Sequence, residues 1–483
     1  MNYKMMGRFM AQIITVGLVF LLPALAISLG YGESQAAAAF LLTGVIMLAV
    51  AGGLYAFCKD AGKDFGPKEG LACVSLSWIV MSLLGCLPFV FSGAIPHWVD
   101  ALFEIVSGFT TTGASILSDV EALPKGILYW RSFSHWVGGM GVLVFLLAVA
   151  PSEGGKGFTM HLLRAESPGP DVGKLVPKMK STAAILYVIY IVMTLVNYIL
   201  LLLGGMDWLE ALCTAFGTAG TGGFGIKNDS LAGYSPYIQN VTTVFMFLFG
   251  VNFSCYYLLL LGNFKSVFKD EELRLYAGVA LGCVLLIAFN IRDLYGSWEE
   301  TFRHAAFQVS SVITTTGYGT TDFDLWPSFS KALLLLLMVT GACAGSTGGG
   351  YKMARVLLAF KSLGRNIRQV LSPRKVQVVR INGKAVDEQV LDNANAYLAA
   401  YVIIIILVFI VISLDGFSIE ANLSATLACV NNIGPGLAEV GPTCNYGGYS
   451  DLSKIVLTIA MLTGRLEIFP MLVLCTRSTW TRR

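Results

Sequence analysis

Residues Met10–Gly30 and Ala394–Leu414 run without a single charged side chain, and each exceeds 18 residues. A helix of that length crosses a hydrocarbon core of about 30 Å. In lipid, such a segment must satisfy its backbone polar groups internally, which makes it helical. Only 13% of the chain is charged and 55% is hydrophobic, whereas a soluble globule would be about a quarter charged. The chain reads as an all-α polytopic membrane protein.

The apolar pattern predicts ten crossings, near residues 9–30, 38–57, 71–95, 130–150, 182–205, 234–262, 275–291, 327–358, 393–414 and 451–476. The weakly basic Met1–Arg8 and "ALAIS" at Ala24–Ser28 resemble the parts of a leader. The apolar run continues through Leu29, so an ordinary first membrane helix is expected. With the N-terminus inside, the segments 1–8, 58–70, 151–181, 263–274, 351–392 and 477–483 face the cytoplasm. They hold 25 of the 33 Lys and Arg residues, which sets the orientation by the positive-inside rule. Both termini are expected on the cytoplasmic side. The ten cysteines form no CxxC and no Cys/His cluster, so they suggest neither zinc nor a disulfide framework.

Four stretches of thirteen residues repeat along the chain and each ends on glycine: "ALFEIVSGFTTTG" (101–113), "ALCTAFGTAGTGG" (211–223), "AAFQVSSVITTTG" (305–317) and "NLSATLACVNNIG" (422–434). Asp100, Glu210, Glu300 and Glu420 lie a few positions ahead of these stretches, as suits the positive end of a helix dipole. Each stretch lies between an outgoing and a returning crossing. The unit is therefore helix, half-helix, glycine-bearing loop, helix, repeated four times after two N-terminal helices. Non-helical backbone at membrane depth is tolerated only when it is buried in protein or lines a cavity. Four such loops can meet at an axis and present backbone carbonyls in place of a cation's hydration shell. The hydroxyls of Thr111, Thr112, Thr315 and Thr316 would add oxygens at the inner mouth, and four helix C-termini would favour a cation there.

The motifs "TTTGAS", "TAGTGGFG", "TTTGYG" and "NNIGPGL" resemble the four pore loops of the Trk/Ktr/HKT superfamily of potassium transporters. The resemblance covers the whole chain, and the extra N-terminal helix pair is similar to the TrkH branch. It implies potassium as the transported ion, with a filter formed by Thr111, Thr112, Gly113, Thr221, Gly222, Gly223, Thr315, Thr316, Gly317, Asn432, Ile433 and Gly434. Glycine at the first site, Gly113, goes with potassium preference in the family, and serine there goes with sodium. The second and fourth loops depart from the threonine pattern, so the filter is expected to be only pseudo-fourfold. The resemblance further implies a homodimer in a bacterial inner membrane and a cytosolic, nucleotide-binding, TrkA-like ring as partner. No organic cofactor and no nucleic acid is expected on this chain.

The predicted domains are an N-terminal pair (1–70), repeats at 71–155, 156–270, 271–373 and 393–483, and a cytoplasmic linker (374–392). In the linker, two alternating runs flank Asn382-Gly383, a hairpin signal. That hairpin is either a connector or a docking element. Within the third repeat, "GACAGSTGGG" holds Gly341, Gly345, Gly348, Gly349 and Gly350. Each glycine costs a helix about 1 kcal/mol relative to alanine, so an intramembrane loop is expected. It lacks the Gly-Lys-Ser/Thr of a phosphate loop. Arg465 lies inside the last crossing, where an arginine normally faces the bundle interior or water. By residue count it sits at the depth of Gly341, so the loop reads as a steric gate and Arg465 as an electrostatic one. The resemblance assigns the same roles.

Two other functions are open to such a chain. A membrane enzyme needs a catalytic constellation, yet His97, His135, His161 and His304 stand alone, with no HExxH and no GxSxG. A transporter coupling potassium to sodium or protons needs acids at mid-span, for which Glu104 and Glu467 are the candidates.

Overall fold

The computed structural model describes residues 2–59, 67–141 and 179–480. The inner part of the fourth predicted crossing, residues 151–178 of the following loop and the boundary between the first two repeats lie outside these residues.

Helices α1 (Tyr3–Gly30) and α2 (Ser34–Phe57) form an antiparallel pair. The α1 residues Met10, Ile13, Ile14, Gly17, Leu21, Ala24 and Ser28 recur at helical spacing and are buried, giving one face to the rest of the chain. Glu33, in the turn between the pair, accepts hydrogen bonds from the Lys125 and Gly126 amides at 2.5 and 3.1 Å. Its carboxylate thereby caps the N-terminus of the first repeat's returning helix.

The repeats follow the predicted plan. The first holds α3 (Pro67–Gly85), α4 (Leu87–Phe91), the short α5 (Trp98–Phe109) and the returning α6 (Lys125–Gly139). The second holds α7 (Met179–Leu203), the short α8 (Trp208–Gly220), then α9 (Pro236–Phe249), α10 (Phe253–Leu260) and α11 (Phe264–Phe268). The third holds α12 (Glu271–Ile291), the short α13 (Trp298–Ile313), α14 (Ser328–Thr340) and α15 (Met353–Leu371). The fourth holds α16 (Glu388–Ile412), the short α17 (Ile419–Val430), α18 (Asp451–Arg465), α19 (Phe469–Cys475) and α20 (Arg477–Trp480). The short helices have 12, 13, 16 and 12 residues, too few to span. Asp100, Glu210, Glu300 and Glu420 all fall in their first turns.

One expectation needs revision. The sequence pointed to an interruption only in the third returning crossing, but every returning helix stops after 13 to 15 residues. The first ends at Gly139, and Gly141 follows at φ 73°. The second turns by 91° between Phe249 and Phe253, where Asn252 caps the new helix at the Ser254 amide, 2.9 Å away. The third breaks at Gly341, φ 69°. The fourth breaks at Glu467 and Ile468, both at positive φ, with Pro470 just beyond. Consequently only six described helices are long and apolar enough to cross unbroken, or seven if the bent pair counts as one span. The chain is a multi-pass membrane protein whose four returning crossings are interrupted.

The outer loops are latched in a cycle. Asn228 of the second loop donates to Asp119 of the first at 3.0 Å, which holds that exposed carboxyl below its ordinary range. The Leu231 amide donates to the Gly319 carbonyl at 2.9 Å, joining loops two and three. Thr443 donates to Asp322 at 3.3 Å, joining four to three. The Tyr446 amide donates to the Ser115 carbonyl at 2.8 Å, joining four to one.

The hairpin expected at Asn382-Gly383 is present but short. Arg380–Ile381 (β1) pairs with Lys384–Ala385 (β2) in antiparallel register, Arg380 opposite Ala385. Asn382 and Gly383 both take positive φ, 49° and 78°, as a tight two-residue turn of this kind requires. One further bond extends the pairing, from the Val386 amide to the Val379 carbonyl at 2.9 Å, and Val379, Ile381, Val386 and Val390 lie against Leu358 and Leu391.

Candidate functional site

The four short helices end in one backbone motif. Thr111, Thr221, Thr315 and Asn432 adopt left-handed conformations, with φ 55°, 53°, 60° and 57°. The amide of the next residue bonds back to Ser107, Gly217, Ser311 or Ala428, at 2.8 Å in all four cases. This six-to-one closure is a Schellman ending. One residue further, Gly113, Gly223, Gly317 and Gly434 also turn to positive φ, at 80°, 73°, 86° and 100°. The fourfold register read from the glycines is thus reproduced residue for residue in backbone geometry, although the second and fourth loops have lost their threonine triplets.

The loops close on one another. A Cβ built on Gly113 would stand 2.1 Å from the Gly222 carbonyl oxygen, one on Gly223 would stand 2.0 Å from Thr316 O, and one on Gly317 would stand 2.0 Å from Ile433 O. One on Gly434 would stand 2.8 Å from Thr112 O. Each glycine abuts the preceding residue of the next loop, so the contacts run one to two, two to three, three to four and four to one. Four helix C-termini, each carrying roughly half a negative charge, converge two or three residues from this ring.

Behind the ring, buried polar residues hold it in shape. Glu104 and Arg131 form an ion pair at 2.6 Å, both almost wholly buried. Glu104 also accepts from the Ser115 hydroxyl at 2.9 Å and the Ile116 amide at 3.0 Å. Arg131 donates to the Gly225 carbonyl at 2.8 Å and stacks on Phe224 at 3.6 Å. One pair therefore clamps the first loop to the second. His135 bridges the same two repeats. Its Nε2 accepts from the Phe224 amide at 3.2 Å, so Nδ1 carries the proton donated to Gly108 O at 2.8 Å. Tyr446 donates to the Gly434 carbonyl at 2.7 Å, which makes the fourth quarter chemically unlike the others. Removing one partner of a buried ion pair costs about 3–5 kcal/mol. Glu104→Ala is therefore expected to lower the midpoint of thermal unfolding in detergent and to loosen the ring, whereas Glu299→Ala, which removes an exposed carboxylate and leaves Arg303 its bond to Gln239, is expected to be near neutral.

Side-chain oxygens at the ring fall into two groups. Thr112 and Thr316 are engaged by Thr110 and Thr314 hydroxyls at 2.8 and 2.7 Å, and Thr221 donates to Gly220 O at 2.6 Å. Thr111 Oγ1 and Asn432 Oδ1 are buried with no hydrogen-bond partner among the described residues. Asn432 uses its amide nitrogen on Thr112 Oγ1 and Met461 O, both at 2.9 Å, leaving that oxygen available to a ligand.

Directly beneath lies the predicted intramembrane loop. Gly349 donates to Thr315 Oγ1 at 2.6 Å. A Cβ on Gly349 would meet Asn431 O at 2.5 Å, and one on Gly348 would meet Thr314 O at 2.9 Å. The loop ends pinch together, Gly341 lying against Gly349 and Gly350. Far from being loosely held, the loop is tied to the bend of the second repeat: the Cys343 amide bonds Gly250 O at 3.1 Å, the Phe253 amide bonds Gly345 O at 3.0 Å, and Thr347 Oγ1 bonds Phe249 O at 3.2 Å. Arg465 reaches across. It donates to Thr347 O at 2.8 Å and to Gly138 O and Gly139 O at 2.6 and 3.0 Å. A single guanidinium thus joins the fourth repeat to the third repeat's loop and to the end of α6, where Gly138 packs under Phe109 and Thr111. Glu467 is taken by Arg355 in a partly buried ion pair.

All twelve ring residues and the five loop glycines named from the sequence meet here, together with Arg465. Sequence reasoning missed Arg131, His135, Tyr446 and Thr347 as ring or loop supports. Arg131 did carry a signal, as an arginine on the outer half of a membrane segment. His135 carried none, because its contact with Phe224 of the next repeat leaves no local pattern, and Tyr446 carried none, because nothing in the outer-loop sequence marks its bond to Gly434.

Comparisons with known proteins agree with this geometry. The family model described as "TrkH: Cation transport protein" matches residues 36–291 and 296–479. The Trk system potassium uptake protein TrkH of Escherichia coli (strain K12) is 36% identical over 454 residues, 92% of each chain. The protein of the same name from Halomonas elongata is 32% identical and covers 100% of both chains. Among solved structures, the crystal structure of the potassium transporter TrkH from Vibrio parahaemolyticus superposes with a TM-score of 0.89, at 31% identity over 100% of both chains. By sequence, by fold and by the ring its four loops build, this chain belongs to the TrkH cation-transport family.

Proposed function

We propose that the chain takes up potassium across a bacterial inner membrane, with the ring of Gly113, Gly223, Gly317 and Gly434 as its selectivity filter. The observation that carries this reading is the cyclic contact of each glycine with the next loop's carbonyl. Backbone oxygens packed so closely form a fixed cage that can replace a hydration shell. The names of the relatives supply potassium as the ion, and Gly113 at the first site agrees with it. The remaining ring residues, Thr111, Thr112, Thr221, Gly222, Thr315, Thr316, Asn432 and Ile433, would line the same passage. A potassium ion would leave water at the outer loops, pass the carbonyl ring, and enter the field of four helix C-termini. It would then meet the closed loop 341–350 and the positive charge of Arg465. The bonds of Arg465 to the loop and of the loop to Thr315 support reading this arrangement as a shut gate.

Channel-like conduction is favoured over coupling to protons or sodium because both candidate acids are committed, Glu104 to Arg131 and Glu467 to Arg355. The chain would work as a homodimer with a cytosolic nucleotide-binding ring against its basic inner face, both termini being cytoplasmic. The test is flux into proteoliposomes under potassium, rubidium and sodium gradients, with and without a proton gradient. Potassium and rubidium flux independent of the proton gradient is expected. Flux that requires the proton gradient would replace conduction by coupled transport.

A further inference from the structure

Three consecutive residues at the cytoplasmic start of α12 touch two different things. Asp270 and Glu271 are held by the hairpin turn: Asn382 donates to Asp270 at 2.8 Å, accepts from the Glu271 amide at 2.9 Å, and gives its own amide to Glu271 at 3.1 Å. Lys361 of α15 binds the Glu271 carboxylate and also donates to the hairpin carbonyl of Arg380 at 2.6 Å. The next residue, Glu272, points the other way. Its carboxylate accepts from the Ala344 amide, inside the intramembrane loop, at 2.6 Å. The charge of Lys352, at the far end of that loop, also acts on it, while the Lys352 ammonium is bonded to Gly348 O.

We propose that Glu272 is a positioning residue that latches the intramembrane loop shut, and that the Asp270–Glu272 junction links this latch to the cytosolic hairpin. The proposal rests on the reading of loop 341–350 as a gate. Its physical basis is that Ala344 lies in a glycine-rich stretch with little helical preference of its own, so an acceptor oxygen held at its amide selects one loop conformation. Because Glu271 and Glu272 share one helical turn, a soluble partner that pulls Asn382 away shifts the first turn of α12, and the carboxylate leaves Ala344. The hairpin is then neither a bare connector nor only a docking site; it is the handle of the latch.

The bond depends on reach and on an acceptor oxygen, and both can be varied. Glu272→Gln keeps reach and acceptor, so rubidium flux in proteoliposomes close to that of the unaltered chain is expected. Glu272→Asp keeps the charge but is one methylene short, and it is expected to leak like Glu272→Ala, with flux raised roughly tenfold, about the ratio one net hydrogen bond supplies. Asn382→Ala is expected to raise flux in the same direction and to add less than its full effect on top of Glu272→Ala, as coupled sites do. Hydrogen exchange of residues 341–350 in nanodiscs gives an independent readout, with faster exchange expected in Glu272→Ala. If Glu272→Gln leaks while Glu272→Asp does not, charge rather than the latch bond matters and the proposal is wrong. If Glu272→Ala leaves flux and exchange unchanged while Arg465→Ala raises flux, the latch fails and the gate survives. If neither substitution changes flux, the gate reading itself falls.

Discussion

Replacing Arg465 by alanine is expected to raise rubidium flux through reconstituted protein by about 10- to 100-fold. Two losses act together. The first is structural: the guanidinium's bonds to Thr347 O, Gly138 O and Gly139 O are the tie between the fourth repeat, the loop and the first repeat. Alanine leaves those carbonyls without their donor and frees one end of the loop. The second is electrostatic. A unit positive charge roughly 8 Å from a passing cation, at an effective dielectric of about 20, opposes it by about 2 kcal/mol. That alone corresponds to roughly a 30-fold change in rate. Arg465→Lys separates the two terms. Lysine keeps the charge but has no planar fork to reach carbonyls on both sides, so flux between that of the native chain and that of the alanine variant is expected. Native flux in Arg465→Ala would remove both terms from the account.

The second large effect is expected at the ring glycines and is graded by geometry. Gly113→Ala, Gly223→Ala and Gly317→Ala each place a Cβ within 2.0 to 2.1 Å of a backbone carbonyl oxygen of the next loop. The obstacle is backbone, so no rotamer relieves it, and the positive φ at each site costs a further 1–3 kcal/mol or so. The loops must part, and uptake is expected to fall at least about tenfold while the protein still purifies as a folded species. Gly434→Ala meets its obstacle at 2.8 Å instead, so it is expected to keep more activity than the other three. Potassium-limited growth and uptake in cells, with size-exclusion of the purified variants as the folding control, reads this order. Equal activity in all four variants would mean that the ring contacts do not set the passage.

Both effects depend on features that differ in how far they could be read beforehand. The repeats were legible because a glycine demanded by a left-handed turn survives where threonines drift: Gly223 and Gly434 keep their places beside Thr221-Gly222 and Asn432-Ile433. Arg465 was legible because a charge at membrane depth has few bland explanations. The breaks in the second and fourth returning helices were not. "FLFGVNFSC" and "GRLEIFP" carry no glycine cluster, and their bends come from Asn252 capping a new helix and from Glu467 and Ile468 held at positive φ. Such conformations are set by tertiary contact, here the loop bonded to Gly250 and Phe253 and Arg355 bonded to Glu467. The clamp behind the ring was half legible. Glu104 stood out as a buried acid and a candidate for coupling, but its partner Arg131 turns it into a strut between the first two loops.

The central claim is that a cation is bound by the backbone of four loops meeting at one axis. Anomalous scattering from rubidium in crystals of the protein tests it most directly. The account predicts peaks on the axis among the backbone oxygens next to Gly113, Gly223, Gly317 and Gly434, all lost in Gly317→Ala. Peaks confined to carboxylates of the outer loops, with the ring empty at rubidium concentrations that saturate uptake, would contradict it.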